Sequence, residues 1–173
     1  FKTFRHNPND PYSLSLDYIE WLFIDTEGTL WIGTLGGGLN RFDAATESFE
    51  HFRHDLRNPT SISSDMITCI NEDTAGNIWV GTVDNGLNRL DPTTGQFTRF
   101  QHNPEDSTSL SHDVVQSILV DSKCRIWIGT GFPFFNPGRG GLNRFDPVTG
   151  SFIRYEYGPE DPYRLRSNKV RCL

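Results

Sequence analysis

Apolar and polar residues alternate over short runs along the whole chain, and no stretch keeps the 3.6-residue period of an amphipathic helix. Three apolar stretches each end on an aspartate: IEWLFID (19–25), ITCINED (67–73) and VQSILVD (115–121). A turn follows, of the form Asp-x-x-Gly at Asp25–Gly28 and Asp73–Gly76. Glycine there supplies the positive φ such a turn wants. Next come LWIGT (30–34), IWVGT (78–82) and IWIGT (126–130), then GLNRFD (38–43), GLNRLD (86–91) and GLNRFD (141–146). The turns DPTTG (91–95) and DPVTG (146–150) lead into a last run, represented by FEHFRH (49–54), FTRFQH (97–102) and FIRYEY (152–157). Trp, Ile, Phe and Thr between Gly, Asp and Pro predict four short antiparallel strands per unit. Stretches such as HNPEDSTSLSHD (102–113) read as loops between units.

The units are copies. Trp31, Trp79 and Trp127 stand at a constant spacing of 48 residues, with the other motifs in register around them, and FKTFRH (1–6) matches the last run of a unit. Four strands in roughly 40–50 residues is the arithmetic of a β-propeller blade. Leucine-rich repeats are too short, helical repeats have the wrong period, and a jelly roll or immunoglobulin sandwich has no reason to repeat its sequence. The expected fold is all-β, a single propeller segment over 1–173 with units of approximately 1–48, 49–96, 97–151 and a partial 152–173. That is about three complete blades plus an orphan strand at each end. Closed rings typically take about 4–8 blades. The segment is therefore expected not to close alone, and to leave blade edges that are part of a larger ring or join copies into a homo-oligomer.

Composition narrows the function. Net charge is −6 with a pI near 5.3, no basic patch stands out, and nucleic acid is not an expected partner. Hydrophobic residues make up 35% and mean hydropathy is −0.50, which suits many strands that each bury one face. No apolar run approaches the ~20 residues that span a bilayer, and no targeting segment is legible from Phe1 onward. Cys69, Cys124 and Cys172 make an odd set without CxxC, which predicts neither a disulfide framework nor a zinc site. No cofactor motif is present, and no metal site is expected.

The strings HNPNDPYSLSLDYIEWLFIDTEGTLWIGTLGGGLNRFD and SLSHDVVQSILVDSKCRIWIGT…GGLNRFDPVTGSFIRYEYGPEDP resemble the two-component regulator propeller repeats. The resemblance covers essentially all of the chain and rests on D-x-x-G-x-[IL]-W-[IV]-G-T, G-L-N-R-[FL]-D and N-P-x-D-x-x-S-L taken together. It implies seven-bladed propellers in the extracytoplasmic (periplasmic) sensor half of hybrid histidine kinases. Several relatives from gut bacteria sense glycan fragments. The chain departs from the pattern at Cys124, where other units have Gly28 and Gly76, and at Asn168, where they have Asp17, Asp65 and Asp113. It also carries seven extra residues in GFPFFNPGRG (131–140).

Residues copied in every unit read as framework. These are Trp31, Trp79 and Trp127 in the blade core, Gly33, Gly81 and Gly129 beside them, and the turn aspartates Asp43, Asp91 and Asp146 with Asp25, Asp73 and Asp121. Asn40, Asn88 and Asn143, the arginines that follow them, and His6, His54 and His102 recur likewise. Cys69 and Cys172 read as free core thiols. Residues without copies are the ligand candidates. Trp21 lies on the innermost strand where its equivalents are Cys69, Ser117 and Cys172; Phe132, Phe134, Phe135 and Arg139 lie in the insertion; His112 stands alone. An exposed Phe cluster with an arginine suits a carboxylate, a sulfate or a partner protein, or else folds on itself as a compact loop.

Three functions follow in order of expectation. The first is a sensor that presents one propeller face to an extracytoplasmic ligand, an oligosaccharide by the resemblance, and passes occupancy to a kinase. The second is a fragment of a lyase-type propeller enzyme, for which only His112 and Arg139 offer unrepeated chemistry and no catalytic motif is found. The third is a protein–protein interaction scaffold.

Overall fold

A computed structural model describes residues 1–131, 140–158, 164–168 and 170–173. The strands among them form three antiparallel sheets. Blade 1 holds β1 (Ile19–Ile24), β2 (Leu30–Thr34), β3 (Leu39–Asp43) and β4 (Ser48–Phe52). Blade 2 holds β5 (Ile67–Glu72), β6 (Ile78–Thr82), β7 (Leu87–Asp91) and β8 (Gln96–Phe100). Blade 3 holds β9 (Val115–Val120), β10 (Ile126–Thr130), β11 (Gly141–Asp146) and β12 (Ser151–Tyr155). Each sheet is a simple meander in chain order, as short apolar runs joined by tight turns require.

The turn between the first two strands explains why aspartate and tryptophan recur together. Asp73 Oδ1 accepts the backbone N–H groups of Ala75 (2.9 Å) and Asn77 (3.0 Å), and its Oδ2 accepts the Trp79 indole N–H at 2.7 Å. Asp25 and Asp121 do the same for Trp31 (2.8 Å) and Trp127 (2.9 Å). One carboxylate thus shapes the turn and satisfies the polar atom of a core indole. The arginine of the third strand lies over each indole: Arg41, Arg89 and Arg144 sit 5.8–5.9 Å from the ring centroids.

Cys124 adopts the same turn as its glycine counterparts, with φ of 60° beside 86° at Gly28 and 82° at Gly76. Its N–H still donates to Asp121 O at 2.8 Å. A left-handed L-residue costs ~1–2 kcal/mol, and glycine's greater freedom in the unfolded chain returns ~0.5–1 of that. Cys124→Gly is therefore expected to stabilise the protein by about 0.5–1 kcal/mol and to raise Tm by about 2 °C in a thermal melt. No rise would mean that the Cys124 turn carries no strain.

Blades meet through interlocking apolar faces. The trailing face of blade 1 (Phe23, Trp31, Leu39, Phe52) packs on the leading face of blade 2 (Ile67, Ile70, Ile78, Leu90, Phe97). Trp79 and Leu87 of blade 2 meet Val115, Ile118, Ile126, Phe145 and Phe152 of blade 3 in the same way. Glycine in the second strand permits this approach: a Cβ on Gly33 would lie 2.6 Å from Ile67 Cγ2, and one on Gly81 2.7 Å from Val115 Cγ1. Both tryptophans are sealed, at 1% and 0% exposure.

The loop before each blade is clamped by residues that recur. His54 Nδ1 donates to Ile62 O at 2.8 Å, its N–H donates to Asp65 Oδ1 at 2.7 Å, and Ser63 N–H donates to buried Asn88 Oδ1 at 2.8 Å. His6 and His102 make the same pairs with Leu14, Asp17, Leu110 and Asp113. The loop also covers the outer strand, since Phe49, Phe97 and Phe152 N–H donate to Tyr12, Thr60 and Thr108 O at 2.7–2.8 Å. That closes an edge that would otherwise template aggregation.

The two flanking segments keep their register without a ladder. Phe4 packs on Phe42 and Phe49 as Phe100 packs on Phe145 and Phe152. Val170 abuts Gly129 as Val115 abuts Gly81. Neither 1–6 nor 170–173 has a strand partner. Cys172, read as a core thiol, is exposed at that open end, whereas Cys69 is buried; all three cysteines are free.

Candidate functional site

The end of each blade where its first strand begins, the upper end, departs from regular ladder geometry. In all three blades the pairing of first and second strands slips between residues 19 and 21, 67 and 69, and Ser117 and Val115. Glu20, Thr68 and Gln116 are the extra residues of these β-bulges. A bulge re-aims its side chain and recurs next to binding sites. These three differ from blade to blade. So do Trp21, Cys69 and Ser117 next to them, and Leu16, Ser64 and His112 in the preceding loop.

Trp21 is 40% exposed on β1, and its indole N–H donates to Ile70 O of the next blade at 3.1 Å. One seam further on, Asn71 takes that role, donating to Ile118 O at 3.0 Å. Thr68 Oγ1 donates to Val115 O at 2.7 Å. These bonds occupy carbonyls on the free edge of the innermost strands, so Trp21 is both a strut between blades and an accessible aromatic surface. Cys69, at the equivalent place, is sealed; burial pushes its thiol up to about 12, so it stays protonated and inert near neutral pH.

His112 Nδ1 accepts the N–H of Val114 at 2.9 Å, as Ser64 Oγ accepts that of Met66. It stands beside the root of the insertion, where Gly131 N–H donates to Val114 O at 2.9 Å. Phe132, Phe134, Phe135 and Arg139 lie outside the described residues. Trp21 and His112 belong to successive seams, the first between blades 1 and 2 and the second between blades 2 and 3.

The lower end carries grooves between blades. One of about 530 Å³ between blades 2 and 3 is lined by Asp73, Trp79, Arg89 and Arg125. Its counterpart between blades 1 and 2, about 320 Å³, is narrowed by Glu72, whose carboxylate accepts the N–H and hydroxyl of Thr26 at 2.8 and 2.9 Å. Val120 stands at the position of Glu72 in blade 3.

The titration shifts belong to turns. Hydroxyl donation from Thr46, Thr94 and Thr108 holds Asp43, Asp91 and Asp106 below the usual carboxylate range, and the Trp127 indole N–H does so for Asp121. Their folded values are depressed, so the unfolded chain binds protons first as pH falls from ~4. Stability from these carboxylates is present above that pH and is lost as pH drops through the folded values. Urea midpoints are expected to change little from pH 5 to 7 on their account and to fall steadily below pH 4. A midpoint unchanged down to pH 2.5 would show that these bonds contribute nothing. Among the described residues, no group of His, Cys, Asp and Glu could hold a metal ion, and no helix is long and apolar enough to cross a membrane.

Residues 13–36, 61–84 and 109–132 match the two component regulator propeller family. These are two component regulator propeller repeats. Each match runs from the clamped loop through the bulge and the Asp–Trp turn to the end of the second strand. No curated protein matches the chain. Among solved structures, the extracellular domain of the putative hybrid two component system BT3049 from B. thetaiotaomicron is similar at 17% identity and a TM-score of 0.54. The similarity covers 96% of this chain and 32% of that one. A Bacteroides thetaiotaomicron VPI-5482 protein of unknown function matches 79% of this chain and 35% of its own at 16% identity and a TM-score of 0.53. PorZ, a surface component of the type-IX secretion system of Porphyromonas gingivalis, matches 79% of this chain and 18% of its own at 14% identity and 0.51. At these identities the likeness establishes the propeller fold. The regulator propeller segment spans about a third of the BT3049 domain.

Proposed function

We propose that this segment is the ligand-recognition part of an extracytoplasmic two-component sensor, and that an oligosaccharide binds at its upper inner rim. The observation that carries the reading is the division of labour between repeated and unrepeated residues. Trp, Asp, Asn, His and Gly positions make the same contacts in successive blades. Among the residues that differ, Glu20, Thr68 and Gln116 lie on the bulges that redirect the innermost strands, with Trp21 next to Glu20 and His112 in the loop that leads into β9. A scaffold that repeats its framework and changes its bulge residues from blade to blade presents different groups to a ligand at that rim. The half-exposed Trp21 face suits a sugar ring, and the carboxylate, hydroxyl and amide of the bulge residues suit its hydroxyl groups.

No catalytic step enters this reading. The repeated carboxylates and histidines are engaged in turns and loop clamps, and the buried thiol is held protonated. A sensor needs only a ligand with different affinity for two signalling states.

Tryptophan fluorescence and calorimetry with a panel of neutral, uronic and sulfated oligosaccharides test the reading. At least one is expected to bind saturably, and Glu20→Ala with Trp21→Ala to weaken it about tenfold or more, near 1.4 kcal/mol. Circular dichroism confirms that the double variant is folded. A panel without binding, or binding indifferent to both substitutions, would refute it.

A further inference from the structure

The two inner seams carry the same groove at the lower end, but with different charge. Between blades 1 and 2, Arg41 sits among Asp25, Glu27, Glu72 and Asp91. Arg41 is also matched by its cross-strand neighbour Glu50, whose carboxylate lies 2.5 Å from Arg41 Nη2. Between blades 2 and 3 the arginine is kept as Arg89, and its surroundings are exchanged. Ala75 lines this groove at the position of Glu27, and Arg125 at that of Asn77. Val120 and Thr98 stand at the positions of Glu72 and Glu50, with Thr98 directly across from Arg89. Each of these exchanges removes a negative charge or adds a positive one. Both walls of the groove, the trailing face of blade 2 and the leading face of blade 3, are present in the chain.

Arg89 is left without an acceptor. It is half-buried, lies 5.8 Å from the Trp79 ring centroid, and makes no hydrogen bond or ion pair among the described residues. A guanidinium holds several N–H donors in one fixed plane. Stacking on a sealed indole sets that plane before any ligand arrives. The carboxylates on the walls are already engaged. Asp73 accepts the N–H groups of Ala75 and Asn77 and the Trp79 indole, and Asp146 accepts Val148 N–H at 2.9 Å. Arg125 is balanced by Asp121 at 2.7 Å, which leaves Arg89 as the free grip.

We propose that the groove between blades 2 and 3 binds a small ligand through a carboxylate, sulfate or phosphate group held by Arg89. Such a group offers two oxygens at the spacing of paired guanidinium N–H donors. The volume of about 530 Å³ suits a small molecule better than a lone ion. The site lies at the opposite end of the blades from Glu20 and Trp21, so it does not rest on ligand binding at the upper rim.

Calorimetry of the 173-residue chain at low ionic strength tests it, with glucuronate, glucose 6-sulfate and glucose 6-phosphate as probes and glucose as the neutral control. At least one anion is expected to bind one-to-one and about tenfold or more tighter than glucose, with inorganic sulfate or phosphate competing. The preferred probe distinguishes carboxylate, sulfate and phosphate. Arg89→Gln is expected to weaken binding about tenfold or more. Thr98→Glu, at an exposed position, keeps Arg89 on its indole and supplies the carboxylate that Glu50 gives Arg41. It is expected to weaken binding as much, with an unchanged circular dichroism spectrum and no fall in the urea midpoint. Glu20→Ala with Trp21→Ala is expected to leave this binding as it is. No preference for an anion over glucose would overturn the proposal. So would inorganic ions that fail to compete, binding indifferent to both Arg89→Gln and Thr98→Glu, or binding lost in the upper-rim variant instead.

Discussion

Trp79→Ala is expected to cost about 4 kcal/mol of unfolding free energy, and Trp127→Ala about half of that. Trp79 is fully sealed between blades 2 and 3. Its ring stacks on Phe100 at 5.6 Å and meets the edge of Phe145 at 4.9 Å. Truncation opens a cavity across a seam that relaxes poorly because both sheets are rigid. It also deprives Asp73 Oδ2 of its indole donor, while the backbone donors to Oδ1 remain. Trp127 makes the same bond to Asp121, but its ring faces the open groove of blade 3, where water fills the space it leaves. Urea unfolding of both variants measures the difference. Equal losses would show that burial across the seam adds nothing to what the tryptophan contributes within its own blade.

That contrast bears on what a reader of the sequence could know. The strand runs were legible because each follows from local patterning: β-branched and aromatic residues between aspartate and glycine. The Asp–Trp bond lies six residues apart in sequence, inside a tight turn, and the repeat advertises both partners. The bulges were not legible. Ladder slippage depends on how the first strand meets its neighbour, and Glu20, Thr68 and Gln116 share no residue type that announces it. Glu47 is a similar case. It takes a φ of 56° where Gly95 and Gly150 take 70° and 69°, and only their alignment with the first blade exposes the substitution. The clamp on the outer strand was equally hidden. Arg99 and Arg154 reach loop residues 38 to 48 positions away, and His51 replaces them in blade 1 with a single bond to Ser13 O at 2.7 Å.

The candidate site was legible only by subtraction. Trp21 stood out as an unrepeated residue on an inner strand, and the structure gives it an accessible face and a strut to Ile70. Its neighbours on the rim emerged once the bulges were seen. Repeat registration thus separates framework from surface, because a contact made in every seam cannot also be the source of specificity. Three-dimensional placement is still needed to show which of the unrepeated residues share one end of the blades.

Gly33→Ala is expected to cost about 2–3 kcal/mol although it adds one methyl group. An added Cβ would lie 2.6 Å from Ile67 Cγ2 and 3.1 Å from Ile67 Cβ, so the sheets of blades 1 and 2 must part or Ile67 must leave its rotamer. Ile67→Ala alone is expected to cost about 3 kcal/mol, through the cavity it leaves under Trp31. Combined, the two changes exchange volume across the same seam: the methyl on residue 33 enters the space that Ile67 vacates. The double variant is expected to lose at least about 1 kcal/mol less than the sum of the singles, a coupling that urea unfolding resolves. Strict additivity would mean that blade spacing is set elsewhere and that glycine recurs in W-[IV]-G-T for another reason. Coupling would make the glycine a spacer that fixes how closely successive blades approach, and therefore where the rim residues of one blade stand relative to those of the next.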